Sequence, residues 1–264
     1  MIKLVALDMD DTLLNKQAAI STRNAAAIRR AAAAGVTVTI ATGRMFRSAR
    51  PFAAGLGLDV PLITYNGALI RGAVSGETLL DRPVDAAVAA AVLALFQEKG
   101  WYIQTYVDDV LYVAEKNAQS AYYEKLANVT ATALGDDFYT RSQAPSKMLA
   151  MAEPAQVLEM QQLLRELFGD RLYLALSKPT YLEMVNPAVN KGTALAFLAG
   201  RLGIDPSQVM AVGDSFNDLD MIGYAGWGVA VGNAPDAVKQ KAQAVVADHD
   251  HDGVAEAFEQ FVFS

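Results

Sequence analysis

Asp8-Met9-Asp10-Asp11-Thr12-Leu13-Leu14 follows directly on the largely apolar run Ile2 to Leu7, and this junction decides the fold. A short run that is apolar on both faces reads as a strand inside a parallel sheet, and such strands present ligands at their carboxyl ends. Side chains alternate along an extended backbone, so Asp8 and Asp10 are expected to project toward one spot and Asp11 away from it.

Outward from this junction, Val36 to Ala41, Leu62 to Tyr65, Val209 to Val212, Gly228 to Val231 and Ala244 to Ala247 are runs of the same kind. Helical stretches separate them, such as the alanine-rich segment that opens after Ser21 and stops at Gly35. The alternation predicts an α/β fold: a Rossmann-like parallel sheet core with helices on both faces.

The middle of the chain departs from this pattern. Trp101 to Tyr106 and Val110 to Ala114 flank Asp108-Asp109 and predict a hairpin. Helices over Gln119 to Ala127 and Pro154 to Phe168, with strands at Lys147 to Met151, Arg171 to Leu176 and Tyr181 to Val185, complete an α+β insert. Pro83 and Pro187 interrupt the pattern at its edges, which predicts a core of residues 1–81 and 188–264 and an inserted cap of residues 82–187. Entering after the third strand and leaving just before Lys191, the insert is placed to stand over the crevice as a lid. Its Ser177 to Tyr181 turn is the segment expected to touch substrate.

Composition excludes several classes. The 264 residues are 53% hydrophobic, enough to bury a substantial core. Lys plus Arg number 22 against 29 Asp plus Glu, a net charge of -7, so neither nucleic acid nor an anionic membrane is favoured as partner. Cysteine is absent, which excludes disulfides, thiolate metal sites and a cysteine nucleophile, and fits a reducing cytoplasm. Charge at Lys3 breaks any secretory apolar segment, and the longest apolar stretch, Ala86 to Phe96, is shorter than the roughly 20 residues that span a bilayer. Oligomeric state is not encoded in these features.

Three further strand or helix ends carry polar groups to the same edge. Ala41-Thr42-Gly43-Arg44 offers a hydroxyl and a backbone amide where a phosphate can be cradled. Asn190-Lys191-Gly192-Thr193 opens a helix whose N-terminus favours anions. Gly213-Asp214-Ser215-Phe216-Asn217-Asp218 adds two carboxylates and an amide. Two unit charges about 4 Å apart repel by about 4 kcal/mol at an effective dielectric of 20. Four aspartates therefore require compensation, and Lys191 together with a hard dication such as Mg2+, which binds carboxylates while keeping water and phosphate, supplies it.

Each of these residues also has a plainer reading. Asp8 and Asp10 alone are a solvated acidic turn, Thr42-Gly43 is ordinary turn chemistry, and Asp214 and Asp218 are helix caps. Asn66-Gly67 reads as a hairpin turn, His249 and His251 as exposed loop polarity, and Tyr102, Tyr106, Tyr112 and Tyr181 as half-buried strand residues.

Taken together and in order, Asp8-Met9-Asp10-Asp11-Thr12-Leu13-Leu14, Ala41-Thr42-Gly43-Arg44, Asn190-Lys191-Gly192 and Gly213-Asp214-Ser215-Phe216-Asn217-Asp218 resemble the four motifs of the haloacid dehalogenase-like superfamily. Thr64-Tyr65-Asn66-Gly67-Ala68, Gly232-Asn233-Ala234 and Asp252-Gly253-Val254-Ala255 are similar to its Cof-type branch, class IIB. The resemblance implies a phosphatase acting on small-molecule phosphate esters, sugar phosphates foremost. It implies that Asp8 attacks phosphorus to give an aspartyl phosphate while Asp10, with a pKa raised by its acidic neighbours, protonates the leaving group and then activates water. It further implies that Mg2+ is held by Asp8, the Asp10 carbonyl and Asp214 with Asp218 behind them, and that Thr42, the Gly43 amide, Lys191 and Asn217 grip the phosphoryl oxygens. Asp11 stands where the family most often carries glycine, and alternation points it away from the metal.

Two rival readings share parts of this set. A phosphomutase or phosphotransferase uses the same aspartyl phosphate and differs in the acceptor. A phospho-receiver signalling module gathers similar residues around Mg2+ but is a single shorter domain without such an insert. A nicotinamide-dependent oxidoreductase is disfavoured, since no G-x-G-x-x-G follows the first strand.

Overall fold

The computed structural model describes residues 1–141 and 143–264. The chain opens with β1 (Leu4–Leu7), α1 (Thr22–Ala33), β2 (Thr37–Ile40), α2 (Phe46–Leu56) and a run of short strands, β3 (Pro61–Thr64), β4 (Leu69–Gly72) and β5 (Thr78–Asp81). There follow α3 (Ala86–Lys99), β6 (Ile103–Val107), β7 (Val110–Val113), α4 (Ala118–Ala127), β8 (Ala131–Ala133), α5 (Asp137–Thr140), β9 (Lys147–Met151), α6 (Pro154–Phe168), β10 (Tyr173–Lys178) and β11 (Tyr181–Val185). The chain ends through α7 (Lys191–Leu202), β12 (Val209–Gly213), α8 (Leu219–Tyr224), β13 (Trp227–Ala230), α9 (Asp236–Lys239), β14 (Ala244–Val245) and α10 (Gly253–Phe261).

The central sheet runs β14-β13-β12-β1-β2 with every pairing parallel. All four residues of β1 and all five of β12 are buried, as strands covered on both faces must be. On one face Leu4, Ala6, Val209 and Ala211 pack against Leu195 and Leu198 of α7. On the other, Val5, Leu7, Met210 and Val212 pack against Ile28 and Ala31 of α1 and Val254 and Phe258 of α10. Each such aliphatic side chain contributes about 1.5–3 kcal/mol on burial. The α/β class and the helices on both faces agree with the alternation in the sequence.

The third run behaves differently from its sequence reading, which put Leu62 to Tyr65 in the parallel sheet. β3 touches β2 through one parallel bridge, Ala41 to Ile63, and otherwise leads an antiparallel sheet, β3-β4-β5. The cause is the immediate reversal at Asn66-Gly67, whose φ values of 56° and 104° turn the chain back before a helix can form. The hairpin reading of this dipeptide holds.

A third sheet, ordered β10-β11-β9-β6-β7-β8, is antiparallel except where β7 meets β8. Alternation along its strands divides their side chains. Ile103, Met148, Ala150, Leu182 and Met184 pack against α3 and α6. Tyr106, Leu149 and Tyr181 join Tyr123 and Ala127 of α4 in the cluster that continues into the central sheet. The second face therefore overlooks the carboxyl ends of β1 and β2. No helix among the described residues is long and apolar enough to cross a membrane.

Candidate active site

The loops after β1 and β12 and the start of α7 meet at one point. Asp8 leaves β1 with its N–H donating to the Val212 carbonyl at 2.9 Å, so sheet pairing extends to the first acidic residue. Lys191 is the first residue of α7, held there by the Asn190 capping box with Thr193. Its ammonium donates to Asp8 Oδ1 at 2.5 Å and Asp218 Oδ1 at 2.6 Å. Asp8, Asp214 and Asp218 are all buried, and each offers an oxygen within 4.8 Å of the others.

Asp218 also folds the loop that carries Asp214, because its Oδ2 accepts the backbone N–H groups of Asp214 at 3.0 Å and Ser215 at 2.9 Å. A Cβ on Gly213 would fall 2.6 Å from the Asp218 Cβ, so glycine is required for this close approach. Asp214 accepts from the Thr12 hydroxyl at 2.7 Å and the Ser215 hydroxyl at 2.8 Å. Thr12 was not singled out in the sequence, although it stands inside the first motif.

Burial, and then repulsion from Asp218 and Asp214, hold Asp8 well above the ordinary carboxylate range despite the opposing Lys191. Burial and Asp218 push Asp214 up to about 6. Lys191 shows the counterpart: burial would lower it, but Asp218 and Asp8 outweigh that and raise it. Crowded acids that raise one another's pKa form the electrostatic setting that a cation relieves.

Asp10 corrects two expectations. Asp10 keeps extended angles (φ -75°, ψ 130°) but sits inside the turn Met9–Leu13 with Asp11 in the left-handed region at φ 59°, so a tight turn rather than strand alternation places it. Its titration also runs opposite to the predicted rise. Burial pushes it up, but the hydrogen bonds and charge of Arg44 outweigh burial and lower it. The Arg44 guanidinium grips both carboxylate oxygens, Nη2 to Oδ1 at 2.6 Å and Nε to Oδ2 at 2.8 Å. Acidic neighbours dominated the sequence argument because Arg44 arrives from another strand. The left-handed turn also explains why glycine suits position 11. The Asp11 carboxylate is exposed and sits 3.8 Å from His249 Nδ1, outside the acidic cluster.

The loop after β2 faces this cluster. The Thr42 hydroxyl accepts the Arg44 N–H at 3.1 Å. Gly43 is crowded, since an added Cβ would lie 3.0 Å from Asn66 Oδ1 and 3.2 Å from both Glu183 oxygens. The Gly43 carbonyl accepts from Lys147 of β9 at 2.5 Å, and Lys147 pairs with Glu183 of β11 at 2.9 Å. Glu183 further accepts from Asn66 at 2.6 Å and Ser177 at 2.5 Å. Asn66 accepts from Asn217 Nδ2 at 3.1 Å, and Asn217 Oδ1 is buried without a partner. Lys147, Glu183, Asn66 and Arg44 are site residues that the sequence reading did not select. A lone charge inside a strand buried along its length, as in Lys147-Met148-Leu149-Ala150-Met151 and Tyr181-Leu182-Glu183-Met184-Val185, was the available signal.

Asp8, Asp10, Thr42, Gly43, Arg44, Lys147, Glu183 and Asn217 line a crevice of about 70 Å³ together with Tyr123, Leu126, Leu149 and Tyr181. The histidines stand apart from the cluster. His251 is exposed as expected, but His249 is 7% exposed and its Nδ1 contacts the Leu14 carbonyl at 3.0 Å, because the loop packs onto the turn after β1. Of the four tyrosines, Tyr102 and Tyr112 are half-buried, while Tyr106 and Tyr181 are buried.

A family model of haloacid dehalogenase-like hydrolases matches residues 5–258. The 5-amino-6-(5-phospho-D-ribitylamino)uracil phosphatase YcsE of Bacillus subtilis is 33% identical over 264 residues, covering 99% of this chain and 96% of the relative. The HMP-PP phosphatase of Serratia proteamaculans is 31% identical over 245 residues, covering 89% and 85%. The crystal structure of a haloacid dehalogenase-like hydrolase from Bacteroides thetaiotaomicron superposes with a TM-score of 0.89 at 27% identity, covering 98% of this chain and 99% of that one.

Proposed function

The chain belongs to the haloacid dehalogenase-like hydrolases and is a phosphatase, and from that premise we propose that it hydrolyses small-molecule phosphomonoesters, sugar phosphates foremost, with Mg2+ and an aspartyl phosphate on Asp8. The observation that carries this reading is the buried triad of Asp8, Asp214 and Asp218 with Lys191 bridging two of its members.

The donor set suits the metal. Among the described residues Asp8, Asp10, Asp214 and Asp218 are ion-paired only with Lys191 and Arg44, which leaves two formal negative charges among the paired groups for a hard dication to offset. Asp8, the Asp10 carbonyl and Asp214 would hold Mg2+, with Asp218 fixing the Asp214 loop. When bound, the metal supplies charge neutralisation at the transferring phosphoryl group.

Asp8 acts as nucleophile: one carboxylate oxygen bonds to phosphorus as the ester oxygen departs. Lys191 keeps Asp8 oriented and stabilises its charged form. Once Arg44 loosens its grip Asp10 takes up a proton from solvent, gives it to the departing oxygen, and later takes one from the water that cleaves the acyl phosphate. Thr42, the Gly43 amide and Asn217 are the groups that would hold phosphoryl oxygens, Asn217 through the Nδ2 hydrogen that it does not give to Asn66. Residues 82–187 act as the lid over a core of residues 1–81 and 188–264, a role supported by the Lys147 and Glu183 contacts to the loops after β2 and β3. A cysteine-free chain suits a cytoplasmic setting.

The test is magnesium-supported phosphate release across a panel of phosphorylated metabolites, run beside Asp8→Asn. Release by the native chain and none by the variant is the expected result. Equal release by both would refute nucleophilic attack by Asp8.

A further inference from the structure

The cations of the crevice are not equally committed. Arg44 is held by both oxygens of Asp10, Lys147 by Glu183 and the Gly43 carbonyl, and the deeper Lys191 by Asp8 and Asp218. Lys178 is the exception. It lines the same crevice, yet among the described residues it has no hydrogen-bonded or ion-paired partner, and its ammonium lies only 5.7 Å from the centroid of the Tyr181 ring.

Backbone geometry supports a dedicated placement. The ladder between β10 and β11 slips between Leu176 and Lys178, a bulge that re-aims side chains at the strand end. Ser177 thereby turns its hydroxyl inward to Glu183, while Lys178 reaches the crevice mouth beside Tyr181. Next to it, Tyr181 is 7% exposed and lines the same crevice, so its ring backs the Lys178 ammonium. An ammonium without a paired carboxylate, backed by an aromatic ring in the crevice that holds Asp8 and Asp10, is available to an anion other than the transferred phosphoryl group.

The geometry points to a second anion subsite: the preferred substrate carries, besides the phosphoryl group that reacts, another phosphate or carboxylate recognised by Lys178 against Tyr181. This rests on the phosphatase reading and deepens it. Lys178 is a specificity residue that adds attraction for the distal anion and takes no part in bond breaking.

Matched substrate pairs test this: glucose 1,6-bisphosphate against glucose 6-phosphate for a distal phosphate, and 3-phosphoglycerate against glycerol 3-phosphate for a carboxylate. At least one pair should show a kcat/KM ratio favouring the doubly anionic member, and the favoured pair identifies which anion is bound. Lys178→Met should lower that ratio about tenfold through KM, and Lys178→Arg should retain it. Because Lys178 is half-buried at the end of β10 and unpaired among the described residues, both variants are expected to fold, which thermal melts check. Equal losses on both members of a pair would mean that Lys178 holds the reacting phosphoryl group and would overturn the subsite. A native ratio near one for both pairs would overturn it as well. Failure of the native chain to hydrolyse any member, or p-nitrophenyl phosphate, would defeat the phosphatase reading and withdraw this inference with it.

Discussion

The Glu183 carboxylate accepts the side-chain amide of Asn66 at 2.6 Å, joining a strand of the third sheet to the turn after β3. Paired with Lys147, a carboxylate can only accept, so Asn66 must present its NH2 there and its oxygen to Asn217. Orientation thus passes from one buried ion pair to an amide in the crevice. Glu183→Gln removes the constraint and leaves Lys147 buried without its partner. The expected outcome is a loss of about 3 kcal/mol in urea unfolding and at least a tenfold fall in kcat/KM, with Lys147→Met restoring part of the stability.

Gly43 sits against the same pair of side chains. Gly43→Ala puts a methyl 3.0 Å from Asn66 Oδ1 and 3.2 Å from Glu183, closer than ordinary contact. Phosphate release is expected to fall about ten- to a hundredfold while stability changes by about 1 kcal/mol, read from kinetics and melts on the same preparation.

Asp214 gives a pH prediction whose sign follows from its rise to about 6 from the ordinary 3.8. A carboxyl raised on folding favours the protonated fold. Metal-free stability is therefore fully present below pH 3.8, is lost as pH climbs toward 6, and stays lost above it. Asp214→Asn should stabilise the EDTA-treated protein at pH 7.5 by about 3 kcal/mol, with no advantage near pH 4. Magnesium should raise the native melting temperature and leave that of the variant unmoved.

Arg44 is expected to set the protonation of Asp10. In Arg44→Met the largest opposing influence is gone and burial is countered only by the charges of Lys178 and Lys191, so Asp10 should titrate above its native midpoint. Carbon-13 NMR of the Asp10 carboxyl measures this directly, and an unchanged midpoint would remove Arg44 as the cause.

The sequence was legible where one chemical logic governed a whole segment. Buried strands such as β1 and β12, capped helices such as α7, and acids gathered at strand ends each follow from local pattern. It was less legible where a residue's surroundings come from distant segments. Asp10 is governed by Arg44, 34 positions away, and Asn66 by Glu183, 117 positions away. Short strands such as β4, β5 and β8, of three or four residues, carry too little periodicity to be read. Lys147 and Glu183 sat unnoticed because each looked like one flaw in an apolar strand, when the pair was the signal.

The register of β1 against β12 pairs Leu7 with Val212, which leaves Asp8 level with Gly213 and one residue short of Asp214. The distance between the two reacting strands, about 4.8 Å in any sheet, is thus a ruler made of peptide hydrogen bonds. No side chain can recalibrate it. The walls above, from Tyr181 to Lys178, are free to be rebuilt for another molecule while the chemistry beneath keeps its gauge.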